Sequence, residues 1–187
     1  MKNKNKFIII VTALVVAIIA IISIICAIAA HNRPTATAGS VYPDAPSLQT
    51  YYNNQQYSLK TLPTLFGFTD EQANSVLNDK GLWNAYTLEI AVDNKSKDNI
   101  TIYTFEVKNN GKNNVWLSTV SNGDVGIVSG NKETISISAL VKGKDISADD
   151  AAKAIKKYSI KIVYSKTPTE NSEGVDSIET HKTITVK

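Results

Sequence analysis

Hydrophobic and polar positions fall into two regimes along the chain. From Phe7 to Ala30, 24 residues carry no charge, and only Thr12 and Ser23 interrupt the apolar run with hydroxyls. A helix of that length measures about 36 Å against a hydrocarbon core of about 30 Å, which predicts one transmembrane helix over 7–30. Fifteen of its residues are Ile, Val, Leu or Phe, worth on the order of −4 to −9 kcal/mol of insertion free energy. From Trp83 onward the period changes to two. In NAYTLEIAVDN, residues Tyr86, Leu88, Ile90 and Val92 share one face, and Thr87, Glu89 and Asp93 share the other with Ala91. That alternation predicts a half-buried strand.

The alternation recurs. ITIYTFEVKN places Tyr103, Phe105 and Val107 on one side, NNGKNN breaks it, VWLSTV resumes it and SNGD breaks it again. VGIVS is a short strand, GNKE a turn, and TISISALV aligns Ile135, Ile137, Ala139 and Val141. YSIKIVY and SIETHKTITV add two strands across the turn-rich TPTENSEGVD, for about seven from Tyr86 onward. The breaks are rich in Asn and Gly, which accept positive φ at low steric cost, so NNGKNN reads as a hairpin loop before it reads as a binding element. Two short helices interleave. Thr69-Asp70-Glu71-Gln72 has the spacing of a capping box opening a helix of about 70–80, with Gly81 as a stop. Ser147-Ala148-Asp149-Asp150 opens another over about 148–157, a crossover between strands, with both aspartates at the positive end of its dipole.

Between the two regimes, residues 31–65 hold four of the five prolines (Pro34, Pro43, Pro46, Pro63). That composition predicts an extended stalk or linker. Within it, SLQTYYNNQQYSL is compatible with a loop, a stalk helix face or a first strand packing onto the domain. The expected organisation is a basic tail over 1–6, a signal anchor over 7–30, a stalk over 31–65 and a β domain over 66–187. Seven short alternating strands predict a mainly β fold, an antiparallel two-sheet sandwich with short accessory helices. Through YTLEIAVDNKSKDNITIYTFEVKNNGKNNVW, and more loosely over 84–187, the chain resembles the broad group of bacterial extracellular immunoglobulin-like domains. The cysteine pair of antibody domains is missing, and the helix over 148–157 departs from a plain sandwich. The resemblance implies display or binding rather than catalysis.

Charge sharpens the picture once it is partitioned. The formal net charge is +3; Lys2, Lys4, Lys6 and Arg33 account for +4 of it and leave 16 lysines against 17 acidic residues in 34–187. The bulk of the protein is therefore near neutral, without the basic footprint of nucleic-acid binding. Its densest run, Lys153, Lys156 and Lys157, reads as the solvated face of a helix. Three lysines before the apolar run predict a cytoplasmic amino terminus and an exported carboxy-terminal domain. The sole cysteine, Cys26, lies inside the run, so the exported part is free of disulfides and thiols, as suits a bacterial surface domain with enough core to fold unaided. Ser23-Ile24-Ile25-Cys26 is a poor lipidation site, because Ile25 stands where a small residue belongs. A pilin leader is excluded by Lys6-Phe7, and Leu62-Pro63-Thr64-Leu65 lacks the rest of a sortase signal. Ala27-Ile28-Ala29 and Ala36-Thr37-Ala38 have the form of signal-peptidase sites. Since the apolar run exceeds a typical signal core, a retained anchor is preferred over cleavage after Ala29 or Ala38.

Catalytic chemistry finds little footing. The two histidines are His31, at the end of the apolar run, and His181, which alternates away from Ile178, Ile184 and Val186. Neither meets a cysteine for zinc, and Gly126-Ile127-Val128-Ser129-Gly130 misses the spacing of a nucleophile elbow. Asp149 and Asp150 point about 100° apart on a helix. Asp93 and Asp98 bracket DNKSKDN, whose lysines stand where a calcium loop needs oxygen ligands. Trp83, Trp116 and the tyrosines read as core, with Tyr86, Tyr103 and Phe105 in the buried register. Trp116 alternates with Val115 and Leu117, so something apolar is exposed there or covered by a neighbouring element. No catalytic, cofactor or metal residue is expected, nor any enzymatic activity. The expected function is a membrane-anchored extracytoplasmic binding or structural module of a bacterial cell envelope. Its partners are the bilayer through residues 7–30 and a protein or wall polysaccharide. The alternative is a secreted accessory or wall-associated factor with a cleaved leader.

Overall fold

A computed structural model describes residues 2–44, 61–144, 146–167 and 181–187. The chain divides into two compact units, Met1–Arg33 and Pro34–Lys187. The first is helix α1, Lys2–His31. Ser23, a polar interruption of its apolar run, donates its hydroxyl to the Ile19 carbonyl one turn back at 2.8 Å, so that hydroxyl is satisfied within the helix. Among the described residues no helix is long and apolar enough to cross a membrane. The helix is thus observed and its passage through a bilayer is not.

Among its described residues the second unit is mainly β, with two four-stranded antiparallel sheets and three short α-helices. The sheet strands are β1 Thr35–Pro43, β2 Trp83–Asp93, β3 Asn99–Val107, β4 Val115–Leu117, β5 Val120–Ile127, β6 Lys132–Lys142, β7 Ile160–Thr167 and β8 Lys182–Thr185. They order as β1-β2-β6-β4 in one sheet and β5-β3-β7-β8 in the other. Alternation fixes the register of the long central pair: Leu88 lies opposite Ile137 and Ile90 opposite Ile135, and all four side chains are buried. Inward residues of both sheets form one core, joined by Ala151 and Ile155 of helix α4, Ala148–Ile155. That helix starts as its sequence predicts, with the Ser147 hydroxyl accepting from the Asp150 amide at 3.1 Å.

Where it is described, the expected stalk over 31–65 holds a paired strand and the start of a helix rather than an extended linker. Thr35–Pro43 is strand β1, which pairs with β2 from Thr35↔Asp93 to Pro43↔Tyr86 across a register shift at Gly39-Ser40. Ala36 is buried in the common core, and the Ala38 amide donates to the carbonyl of Lys187 at 2.8 Å. The domain therefore begins at Pro34 rather than at 66. Small residues (Ala36, Ala38, Gly39) and Pro34 conceal a strand whose edge position tolerates them. The tyrosine-rich run at 45–60 lies outside the described residues.

Two further departures concern register. In β3 it is Ile100, Ile102 and Phe105 that are buried, not Tyr103. Both ladders of β3 shift between Ile102 and Thr104, and one extra residue turns every following side chain to the other face. SNGD does not end a strand but lies inside β5. The break comes at Ser118-Thr119, where the chain leaves one sheet for the other. The Ser118 amide donates to the Ser138 carbonyl at 2.8 Å and the Thr119 amide to the Leu65 carbonyl at 2.7 Å.

A second core lies on the outer face of the first sheet. Helices α2, Thr61–Phe66, and α3, Asp70–Asn78, bring Leu62, Phe66, Phe68, Ala73 and Val76 against Trp83, Ala85 and Leu140, with Trp116 packed alongside. Gly67, at φ 68°, makes the sharp exit from α2. The capping box at α3 is formed in both directions, Gln72 amide to Thr69 hydroxyl at 3.2 Å and Thr69 amide to Gln72 side chain at 2.9 Å. Trp116 is accordingly covered by a neighbouring element, and its ring lies 5.0 Å from that of Trp83 and 5.5 Å from that of Phe68.

Candidate functional site

The loop after β3 and the end of α4 enclose a cleft of about 340 Å³. The loop is NNGKNN, and its left-handed residues are Asn109 (φ 58°), Gly111 (φ 87°), Asn113 (φ 55°) and Asn114 (φ 61°). Such a run is accessible only to Asn and Gly at low cost. Gly111 is required twice over, since a Cβ there would stand 2.5 Å from the indole nitrogen of Trp116. Asn110 anchors the loop as a false strand. Its side-chain carbonyl accepts from the Leu117 amide at 2.7 Å and its amide donates to the Leu117 carbonyl at 2.8 Å.

From the other side, Tyr158 donates its hydroxyl to the Lys112 carbonyl, and the Lys108 amide donates to the Ser159 carbonyl at 3.1 Å. Burial pushes the Tyr158 phenol above its ordinary range. The floor is Val115, Ala154 and the Tyr158 ring, and the walls carry Lys108, Lys112 and Lys157. No acidic side chain among the described residues lines the cleft. Among the described residues none of these three ammonium groups has an ion-pair partner. An adjoining depression of about 260 Å³ shares Lys108 and contains Lys161, which pairs with Glu106 at 3.8 Å.

The candidates drawn from sequence disperse over the domain. His181 is exposed and stands edge-on to Tyr103, ring centroids 5.9 Å apart. Asp93 faces Lys132 at 3.5 Å and Lys95 at 3.7 Å. Asp98 pairs with Lys166, whose hydrogen bond holds its carboxyl below the usual range. Between them Asn94, fully buried, donates to the carbonyls of Asp98 and Ile127 at 3.0 Å and accepts from the Ser96 amide at 3.2 Å. Ser129, of the failed elbow, donates its hydroxyl to the Ser96 carbonyl at 2.7 Å. DNKSKDN is thus tied down by its own polar atoms. Asp149 and Asp150 are exposed on α4, and Asp150 meets Lys153 at 3.7 Å. Trp83 is buried, its indole nitrogen lacking a hydrogen-bond partner among the described residues. Sequence reasoning missed the cleft, because Lys108 and Lys157 are 49 positions apart and only the fold brings them together.

No protein-family model matches the chain, and no curated protein matches it. Among solved structures it is similar to a FixG-related protein from Vibrio parahaemolyticus, at 17% identity over 80% of this chain and 91% of that one, with a TM-score of 0.26. It is also similar to a protein from Archaeoglobus fulgidus, at 10% identity over 55% of this chain and 83% of that one, with a TM-score of 0.25.

Proposed function

We propose that this protein is a membrane-anchored, extracytoplasmic binding module of a bacterial cell envelope. One observation carries the reading: an uncharged run of 24 residues, preceded by three lysines, leads into a separate unit with its own core. The run suits a retained signal anchor, and the lysines favour a cytoplasmic amino terminus. The module recognises its ligand through the cleft between NNGKNN and α4, whose lysine ammonium groups form no ion pair among the described residues. Strand order supports an immunoglobulin-like architecture, with β1-β2-β6-β4 in the places of A-B-E-D and β3-β7-β8 in those of C-F-G. β5 adds an edge beside β3, and β4 precedes it along the chain, which departs from that scheme.

A secreted form with a cleaved leader is the second reading, favoured by the two A-x-A sites. Cleavage after Ala38 would remove Ala36 from the core and half of β1 from its pairing with β2, so Ala29 is the site consistent with an intact domain. Carbonate washing of membranes followed by intact-mass measurement separates the two. A retained anchor gives full-length chain in the pellet, whereas a soluble product beginning at Ala30 rejects the anchor.

A further inference from the structure

The cleft's chemistry selects a class of ligand. We propose that Lys108, Lys112 and Lys157 form the binding site for a small phosphate-bearing sugar or polyol, an assignment that rests on the cleft being the module's binding site.

Charge is the first argument. Residues 34–187 sum to −1, so three cations in one cleft are not an overflow of general basicity. Glu106, in the adjoining depression, already pairs with Lys161 at 3.8 Å, and among the described residues Lys108, Lys112 and Lys157 carry no ion pair. Lysine ammonium groups act on phosphate as point charges and need no planar fork. Two of the three stand on the loop and the third just beyond α4, so two separate elements supply them.

Size and lining supply the second. About 340 Å³ lies within the range of small-ligand sites and falls short of the extended track a nucleic-acid backbone requires. Val115, Ala154 and the Tyr158 ring offer a carbon skeleton an apolar floor. Asn109, Asn113 and Ser159 line the same cleft and provide amide and hydroxyl partners suited to a polyol. The loop is also set before any ligand arrives, by Gly111 against Trp116, by Asn110 on β4 and by the Tyr158 hydroxyl on the Lys112 carbonyl. Rigid walls reduce the ordering cost of binding.

The test is isothermal titration of the full chain in neutral detergent with glycerol 3-phosphate and glucose 6-phosphate, against glycerol, glucose and inorganic phosphate. Saturable binding of both phosphorylated ligands is expected, at least about tenfold tighter than inorganic phosphate and weakened by salt. The uncharged ligands should give no saturation. The double variant Lys112→Gln/Lys157→Gln should lose about tenfold in affinity, Lys112→Arg/Lys157→Arg should retain it, and Lys132→Gln, on the far Asp93 pair, should leave it unchanged. No saturation by either phosphorylated ligand, equal affinity for inorganic phosphate, or indifference to Lys112→Gln/Lys157→Gln would overturn the assignment. Carbonate extraction is independent of this result. A soluble protein that binds sugar phosphates sinks the anchor and keeps the cleft, and an anchored one that binds none does the reverse.

Discussion

Asn110 stands in the middle of a loop, yet its amide completes the ladder that β4 lacks, taking both the N–H and the carbonyl of Leu117. Asn110→Ala leaves two backbone groups of a part-buried strand unpaired and should cost about 1–3 kcal/mol in denaturant unfolding. Gly111→Ala combines a left-handed φ with a Cβ 2.5 Å from the Trp116 indole nitrogen, so it should cost at least as much and alter the near-UV signal of that tryptophan. Trp83 shows a different balance, because its buried indole N–H lacks a partner among the described residues. Trp83→Phe keeps most of the apolar burial and removes the orphan, so it should cost well below the roughly 3–5 kcal/mol expected of Trp83→Ala. Asp98 sets the acid behaviour of its corner. Its folded pKa is depressed by the Lys166 hydrogen bond, so the stability it contributes is present above the unfolded carboxylate pKa and lost as pH falls through the folded one. Asp98→Asn should flatten that acid-side loss by no more than about 1 kcal/mol, read from melting curves at stepped pH.

Among the elements, the strands with a strict two-residue period were legible: Tyr86, Leu88, Ile90 and Val92 on β2, and Ile135, Ile137, Ala139 and Val141 on β6, are buried as their spacing requires. Both helix caps, Thr69 and Ser147, were legible too, because capping is local chemistry. Tyr103 was misplaced because the bulge that turns it outward is a property of three paired strands and leaves no mark on one. β1 was hidden by small residues and prolines, whose burial comes from β2 and Lys187 rather than from their own hydrophobicity. The α2–α3 cap was half legible, since Trp116 demanded a cover without indicating which segment supplied it. That cover should be breakable by itself. Phe66→Ala should speed amide exchange in α2 and α3 while the inner strands β2 and β6 keep their protection.

For the whole molecule, the domain boundary and the membrane decide the account. With Ala36 in the core and Ala38 bound to Lys187, a fragment 66–187 should fail to unfold cooperatively. A fragment 34–187 should melt in one transition. Cooperative melting of the shorter piece would show that β1 is dispensable. The cleft was out of reach of sequence because Lys108 and Lys157 stand 49 positions apart, and anchorage in a bilayer follows from the apolar run. Its most direct test is protease shaving of intact cells expressing the chain with an epitope tag after Lys187 and another before Met1. The account predicts that the carboxy-terminal tag is stripped while the amino-terminal tag survives in the membrane fraction. A carboxy-terminal tag that survives shaving and disappears only after lysis would place the β domain in the cytoplasm and contradict it.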